Sequence, residues 1–326
     1  MGAAPSGVLV VNLGSPAAPT PEALREYLRE FLSDRRVVTL SPLLWQPLLR
    51  LVILPRRAPA SAELYRRVWT PDGSPLVAIG RRQVAALAAR LGPGHPVRLA
   101  MRYGQPSLHQ GLRELLAAGC RRIVLLPLFP QYAEATTGSV RAAARAELRR
   151  LDPAAELLDV PPWHEDRDYI AAVADRLREA ASGGAPRHHV FSFHGLPQKV
   201  VDRGDPYAGH CTATARALAA ELGLAADQWT QVYQSRFGPA AWLQPYADRA
   251  VPALAARHPR LVVACPGFVA DCLETLDEIG HLLAQAFRAA GGEDFVLAPC
   301  ANDHPRLIEA LAGLAQRALA ARAVAP

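Results

Sequence analysis

Short apolar segments rich in valine, isoleucine and leucine alternate along the chain with longer segments in which alanine, leucine and arginine recur at helical spacing. Strands that alternate with helices are typical of βαβ units, so the pattern predicts an α/β fold with parallel sheets. The predicted strands are 7–12, 97–101, 122–127, 188–193, 231–234 and 261–265. The predicted helices include 21–32, 80–91, 108–118, 139–151, 168–181, 213–222, 270–289 and 305–321.

The two halves of the chain carry similar motifs in the same order. One predicted strand ends in Val11-Asn-Leu-Gly-Ser-Pro16 and another in Ser192-Phe-His-Gly-Leu-Pro197. Later in each half a strand runs into Pro127-Leu-Phe129 or Pro266-Gly-Phe268. This order indicates a duplicated unit, and the longer interval in the first half indicates an insertion there.

The most apolar stretch of the chain, residues 40–57, lies in that longer interval. Three prolines and Arg50 interrupt it, and it is shorter than the ~20 residues that a membrane-spanning helix requires. It is therefore a buried connection, a lid over an apolar substrate, or a membrane-surface contact flanked by arginines. Because the stretch is an addition to the duplicated unit, the sequence favours a lid or lip.

The composition is that of a globular protein, because 50% of the 326 residues are hydrophobic and 20% are charged. Residues 1–150 hold 21 Lys and Arg against 9 Asp and Glu, whereas 151–326 hold 15 against 21. This asymmetry suits a protein that handles an anion and a cation together, although arginine-rich solvated helix faces produce it as well. The arginines are dispersed and no nucleic-acid-binding motif occurs, so we expect no nucleic-acid partner.

The five cysteines are widely spaced and form no C-x-x-C pair. This pattern predicts neither a structural zinc site nor a disulfide framework. The first residues lack the basic start of a signal peptide. We therefore expect a cytoplasmic protein, which a contact through 40–57 would bring to a membrane surface.

Candidate catalytic residues are sought at strand ends, where open parallel sheets bind their ligands. No dinucleotide fingerprint or phosphate-binding loop occurs in the chain. His194 directly follows strand 188–193 and precedes a turn at Gly195 and Pro197. A histidine in this place is either an ordinary loop residue or a ligand and proton acceptor.

A second candidate is the acidic face of the predicted helix 270–289. Asp271, Glu274, Glu278 and His281 follow one another at steps of 3, 4 and 3, so they share one face of an α-helix. Such a face is either solvated surface or, because this helix begins at a strand end, part of a binding site. Imidazole and carboxylate together suit divalent iron, so His194 and Glu274 are candidates for metal ligands and a catalytic pair if the two strand ends converge.

Seven motifs resemble those of ferrochelatases, the enzymes that insert ferrous iron into a porphyrin. They occur in the expected order over about residues 7–310. The motifs are Asn12-Leu-Gly-Ser-Pro16, Arg102-Tyr103, Pro130-Gln-Tyr-Ala-Glu-Ala-Thr-Thr-Gly138, Ser192-Phe-His-Gly-Leu-Pro197, Asp202-Arg-Gly-Asp-Pro-Tyr207, Gln234-Ser-Arg-Phe-Gly238 with Trp242, and Cys265-Pro-Gly-Phe-Val-Ala-Asp-Cys-Leu-Glu-Thr-Leu276.

The resemblance implies a chelatase-like fold of two Rossmann-like, doubly wound domains with parallel sheets and an active-site cleft between them. The first domain is expected at 1–133, with a lip insertion at about 34–75, and is completed by a C-terminal helix at 304–326. The second is expected at 134–303. The resemblance also implies that the enzyme distorts the bound macrocycle, which exposes its nitrogen lone pairs to the metal.

The resemblance further implies roles for individual residues. His194 corresponds to the metal-site histidine and proton acceptor, and Glu274 to its acidic partner. Asp271 and Glu278 extend an acidic path along the same helix, and 40–57 corresponds to the active-site lip. The residues at porphyrin-binding positions are Leu13, Arg102, Tyr103, Tyr132, Trp242 and Phe268.

The chain departs from some members of the family at three points. Leu13 stands where some have methionine or tyrosine, and leucine cannot ligate a metal. Cys272 stands where some have histidine, which weakens any scheme that needs a second imidazole. No cysteine follows Cys300, so we expect no [2Fe–2S] cluster and no prosthetic group, with Fe²⁺ as a substrate.

The expected function is insertion of Fe²⁺ into protoporphyrin IX with release of two protons, the last step of haem biosynthesis. Arg102 is the first candidate to bind the propionates, and Ser15 or Thr137 the next; alternatively Arg102 pairs internally and Thr137 caps a helix. The same chemistry on coproporphyrin III is an alternative function. A carrier that binds porphyrin or haem without turnover is another.

Overall fold

The computed structural model describes residues 5–38, 40–183 and 185–321. They form two units. The described residues up to Phe129, together with Glu134–Pro161 and the chain from Ile308 onward, make the first unit. Pro130–Ala133 and Pro162–Leu307 make the second.

Each unit contains a four-stranded sheet in which every described strand pair is parallel. The strands are β1 (Ser6–Ser15), β2 (Val97–Gly104), β3 (Arg122–Pro127), β4 (Glu156–Asp159), β5 (His188–His194), β6 (Trp229–Gln234), β7 (Arg260–Ala264) and β8 (Asp294–Leu297). Their spatial orders are β2-β1-β3-β4 and β6-β5-β7-β8. The parallel α/β fold predicted from the sequence is therefore confirmed.

Helices connect the strands, as parallel pairing requires. The α-helices are α1 (Pro21–Ser33), α2 (Pro42–Leu48), α3 (Leu54–Val68), α4 (Pro75–Leu91), α5 (Leu108–Ala117), α6 (Ser139–Leu151), α7 (Arg167–Ala181), α8 (Gln198–Asp202), α9 (Tyr207–Leu222), α10 (Ala247–Leu254), α11 (Ala284–Ala289) and α12 (Pro305–Ala320). Three segments are π-helical: Leu49–Ile53, Glu134–Gly138 and Glu274–Leu283.

The two units repeat one topology, which supports the duplication read from the motifs. β1 and β5 hold the same central place in their sheets. After β2 the chain bends back along this strand, and the Met101 N–H donates to the Pro106 carbonyl at 2.6 Å. The chain after β6 returns in the same way, from Tyr233 N–H to the Pro245 carbonyl at 2.8 Å.

The central strands show why these segments form strands. Val8, Leu9, Val10 and Val11 of β1 have no exposed surface. A central strand of a parallel sheet is covered by helices on both faces, so it reads as a continuous apolar run. Because β1 and β5 are central and their neighbours end at the same edge, the carboxyl ends of these strands are where each unit can build a site.

The boundary predicted at residue 133 is wrong for one segment. β4 pairs with β3 in parallel register, so residues 134–161 complete the first sheet and belong to the first unit. The four residues of β4 and of β8 are too short to show a hydrophobic period, which is why neither strand was predicted.

The apolar stretch predicted as a lip is helical and has two different faces. It forms α2, the π-helix Leu49–Ile53 and the start of α3. One face is buried with Leu32 and is anchored by Trp45 Nε1–H, which donates to the Leu32 carbonyl at 2.7 Å. On the other face Leu43 is 86%, and Leu44 and Leu51 are each 77%, exposed. Within the described residues, no helix combines the length and the apolar character needed to cross a membrane.

Candidate active site

His194 lies at the carboxyl end of β5, the central strand of the second sheet. Its imidazole Nδ1 is 2.7 Å from the carbonyl oxygen of Gly195. A carbonyl only accepts hydrogen bonds, so Nδ1 carries a proton, and in the neutral imidazole Nε2 holds the lone pair. The Phe268 ring lies 6.4 Å from the imidazole between ring centroids. The half-buried imidazole is therefore oriented locally, with Nε2 suited to accept a proton or bind a metal.

The turn after His194 is closely packed. Gly195 N–H donates to the Gln234 carbonyl at 2.8 Å. A Cβ added at Gly195 would lie 2.9 Å from that carbonyl oxygen and 3.2 Å from Trp242 Cε3. Only glycine fits, and Trp242, one of the predicted porphyrin contacts, covers this turn.

Glu274 is the first residue of the π-helix Glu274–Leu283 and is half-buried. Its backbone carbonyl accepts a hydrogen bond from Gln234 Nε2 at 3.1 Å. Gln234 pairs with His194 in the parallel register of β5 and β6. One buried residue therefore connects the strand end that carries His194 to the helix start that carries Glu274.

The acidic face predicted for an α-helix over 270–289 is wrong in its geometry. Asp271 precedes the helix, and the first ten helical residues form a π-helix rather than an α-helix. Gly280 lets this helix approach β8, because an added Cβ there would lie 2.9 Å from Leu297 Cδ2. π-Helical turns within helices are frequent at functional sites.

Asp271 and Glu278 are held by different partners. The Asp271 carboxylate accepts hydrogen bonds from Asn302 Nδ2 at 2.7 Å and from the Cys300 N–H at 3.2 Å. The Glu278 carboxylate accepts from the backbone N–H and the hydroxyl of Ser235, at 2.6 and 2.5 Å. Their assignment to an acidic path stays a prediction.

Cys272 and Cys300 lie close to these carboxylates and are buried. Burial, reinforced by the negative charge of Glu274, raises the pKa of the Cys272 thiol well above 9.0. Burial and the charge of Asp271 do the same to the pKa of Cys300. Both are therefore neutral thiols at physiological pH.

Phe268 and Tyr132, the other predicted porphyrin contacts in the second unit, have separate surroundings. Phe268 packs on the apolar cluster under the second sheet. Tyr132 N–H donates to Nδ1 of His210 at 3.2 Å. The His210 ring stacks on His164 with 3.7 Å between ring centroids, and burial lowers the pKa of both imidazoles.

Arg102 and Tyr103 are predicted porphyrin contacts at the end of β2 in the first unit. Arg102 Nη2 donates to Asp34 Oδ2 at 2.6 Å, and the hydroxyls of Tyr103 and Ser139 donate to the same oxygen at 2.9 and 2.5 Å. Burial alone would raise the pKa of Asp34, but these hydrogen bonds and the Arg102 charge hold that pKa below 3.8. Tyr103 has no exposed surface. Arg102 is thus paired internally, the alternative left open by the sequence.

Two hydroxyls considered for propionate binding, those of Ser15 and Thr137, are buried in the first unit. Neither oxygen has a hydrogen-bond partner among the described residues. Leu13, the remaining predicted porphyrin contact, is half-exposed, and its N–H donates to Asn12 Oδ1 at 2.8 Å. Among the residues that the structure describes, no group of three or more histidine, cysteine or carboxylate side chains is placed to hold a metal ion.

Four residues of these sites were not singled out from the sequence. Gln234 and Ser235 connect His194, Glu274 and Glu278, while Asp34 and Ser139 bind Arg102. The motif Gln234-Ser-Arg-Phe-Gly238 was the only signal for the first pair, because a glutamine at the buried end of a strand needs polar partners. Asp34 and Ser139 are far from Arg102 along the chain, so spacing could not connect them.

A sequence model of the Ferrochelatase family matches residues 5–319. Curated ferrochelatases of Xylella fastidiosa and Thioalkalivibrio sulfidiphilus are each 47% identical to this chain, over 96% and 95% of its length and 98% and 86% of theirs. The ferrochelatase of Escherichia coli is 45% identical over 95% of this chain and 97% of its own.

Solved structures of similar fold include SirB from Bacillus subtilis with Fe³⁺, which has a TM-score of 0.56 at 12% identity and covers 97% of this chain and 96% of its own. CbiX, described as the terminal enzyme of sirohaem biosynthesis in denitrifying bacteria, has a TM-score of 0.55 at 17% identity, over 96% of this chain and all of its own. At this identity they support the fold. The sequence relatives and the family match decide the membership: this chain belongs to the ferrochelatase family.

Proposed function

We propose that this enzyme, which as a ferrochelatase inserts iron into a porphyrin for haem biosynthesis, acts on protoporphyrin IX and Fe²⁺ and forms protohaem. The observation that carries the site is the connection through Gln234. It holds the strand end with an available imidazole nitrogen beside the first residue of the helix that carries the carboxylate. Metal insertion needs a proton acceptor and a negatively charged metal ligand that are held near each other.

The reaction exchanges two pyrrole protons for one Fe²⁺. His194 Nε2 accepts the two protons one after the other and releases the first to solvent before it takes the second, because Nδ1 is already protonated against the Gly195 carbonyl. Glu274 supplies negative charge that attracts Fe²⁺ and offsets the charge on a protonated imidazole. Two protein ligands hold the ion weakly, which suits a metal that must leave for the porphyrin.

Asp271 and Glu278 complete the proposed acidic path on the approach to Glu274. Leu13, Arg102, Tyr103, Tyr132, Trp242 and Phe268 stay the proposed porphyrin contacts. Arg102 would bind a propionate by exchanging its Asp34 partner for the substrate carboxylate, since both are planar acceptors. The absence of a [2Fe–2S] cluster also stays a proposal.

An anaerobic assay with Fe²⁺ and either protoporphyrin IX or coproporphyrin III tests the substrate. We expect kcat/KM for protoporphyrin IX to exceed that for coproporphyrin III by at least about tenfold, since two additional propionates would need cations or lose their hydration. Higher kcat/KM for coproporphyrin III would contradict this assignment. If iron is inserted into neither porphyrin, the alternative of a porphyrin or haem carrier remains.

The lip is proposed to contact a membrane surface from the cytoplasmic side. Leu43, Leu44 and Leu51 are exposed together, and Arg50 and Arg56 are exposed beside them. Apolar side chains flanked by arginines favour insertion at an anionic lipid surface.

Sedimentation with vesicles of phosphatidylcholine and phosphatidylglycerol tests this contact. Replacing Leu43, Leu44 and Leu51 together by serine should lower vesicle partitioning at least about tenfold, because the variant lacks three exposed leucine side chains that would enter the lipid. Leu282→Ser is the control, since Leu282 is also exposed, at 45%, but lies in the second unit. Equal binding of the triple variant and the wild type would rule the contact out.

A further inference from the structure

Gln234 is the last residue of β6 and lies opposite His194 in the parallel register. Its side chain is 2% exposed. Its amide oxygen accepts from the Ser192 hydroxyl at 2.8 Å and faces the Cys265 thiol at 3.7 Å. Its amide nitrogen donates to the Glu274 carbonyl at 3.1 Å and lies 3.4 Å from Glu278 Oε2.

The partners determine which way this amide points. The carbonyl of Glu274 and the carboxylate of Glu278 only accept hydrogen bonds, so Nε2 must face them. Oε1 then faces two groups that can donate, a hydroxyl and a protonated thiol, because burial raises the pKa of Cys265 well above 9.0. Both hydrogens and both lone pairs of the amide are used. A buried amide with every position used cannot rotate without breaking several contacts.

The backbone of the same residue holds the other half of the site. The Gln234 carbonyl accepts the Gly195 N–H at 2.8 Å, and Gly195 is the residue whose carbonyl orients the His194 imidazole. The backbone of Gln234 therefore fixes the turn after His194, while its side chain fixes the first residue of the π-helix.

Ser235 adds a second connection. Its φ of 64° lies in the left-handed region, which is uncommon for a residue other than glycine. This conformation directs its N–H and its hydroxyl to the two oxygens of one carboxylate, that of Glu278. Backbone held in such a region is concentrated at functional sites, where surrounding contacts maintain it.

We propose that Gln234 is a positioning residue that sets the separation between the His194 imidazole and the Glu274 carboxylate, and that Ser235 fixes Glu278 relative to both. This inference rests on the proposed function of His194 and Glu274. Gln234 acts through these residues and does not contact the reacting atoms. Its loss should therefore slow the chemical step and leave porphyrin binding unchanged.

Gln234→Met tests the inference, because methionine fills similar space without donating or accepting as an amide does. We expect kcat for anaerobic Fe²⁺ insertion to fall at least about tenfold, since small misplacements of reacting groups have large kinetic costs. The porphyrin KM, and the Kd from porphyrin fluorescence, should stay within about twofold of wild type. The control is Gln231→Met in the same strand. Gln231 lies on the opposite face of β6 from Gln234 and donates to the Tyr233 hydroxyl. The kcat of Gln231→Met should therefore stay within about twofold of wild type.

Equal kcat values for Gln234→Met and Gln231→Met would overturn the inference and leave the proposed function standing. A rise in the porphyrin Kd equal to the loss of kcat would overturn it too, since it would indicate general disruption. A wild type that inserts no metal would overturn the proposed function first.

If Gln234→Met does not fold, Ser192→Ala tests the positioning role of Gln234 instead. This substitution removes only the hydroxyl that holds the Gln234 amide oxygen. Losing one buried hydrogen bond should lower kcat by about three- to tenfold at unchanged porphyrin KM. An unchanged kcat would overturn the inference.

Discussion

Replacing His194 by alanine should reduce the rate of metal insertion by about 10³-fold, within the range expected for removing a general base. The imidazole is positioned by its Nδ1 contact with the Gly195 carbonyl at the end of β5. The measurement is kcat for Fe²⁺ or Zn²⁺ insertion under anaerobic conditions. The porphyrin Kd should change by less than about threefold, because the apolar contacts of the ring are kept.

His281→Ala is the matched control. His281 is exposed and lies in the π-helix that Glu274 begins, so its loss should leave kcat within about twofold of wild type. If His194→Ala keeps more than about a tenth of the activity, His194 is not the proton acceptor. If it loses porphyrin affinity in parallel with kcat, the histidine serves binding instead.

Replacing Glu274 by glutamine should lower kcat/KM for Fe²⁺ by about 10²-fold. Glutamine keeps the shape of the side chain and the backbone carbonyl that accepts from Gln234, so the change removes charge alone. A neutral amide neither attracts Fe²⁺ nor offsets the charge on a protonated His194. Steady-state kinetics with Fe²⁺ as the varied substrate measure the effect.

Glu293→Gln removes a carboxylate of the same unit and is the control. Glu293 is exposed and pairs with Arg260 at 2.8 Å, away from the carboxyl ends of the strands. A surface ion pair contributes little, so kcat/KM should be unchanged within about twofold. Equal effects of the two substitutions would mean that Glu274 acts only through net charge and has no place in the metal site.

The six longer strands and the parallel sheets were predictable because a buried central strand is recognisable as a continuous apolar run. β4 and β8 were not, since an edge strand of four residues forms only when a neighbour offers its hydrogen-bonding groups. The missed β4 also misplaced the domain boundary. The pairing of β4 with β3 exists only in the folded chain, so neither composition nor periodicity reveals it.

The π-helix that carries Glu274 was predicted as α-helix, because its acidic and apolar positions match an α-helical period. Gly280 brings this helix close to Leu297 of β8, a contact that the spacing of residues does not record. The lip shows the same limit. Hydropathy identified residues 40–57 as unusual, but Trp45 and Leu49 are buried whereas Leu43 and Leu44 are exposed, and only the packing separates them.

The sequence by itself determined the class of fold and the family: strands that alternate with helices, and seven motifs in the order found in ferrochelatases. These are local properties of consecutive residues, so they can be read along the chain. Only the tertiary structure decided that Gln234 joins the two candidate ligands and that Asp34 occupies Arg102. Such contacts bring together polar groups that are distant in sequence, and a buried polar group reveals its partner only once the chain is folded.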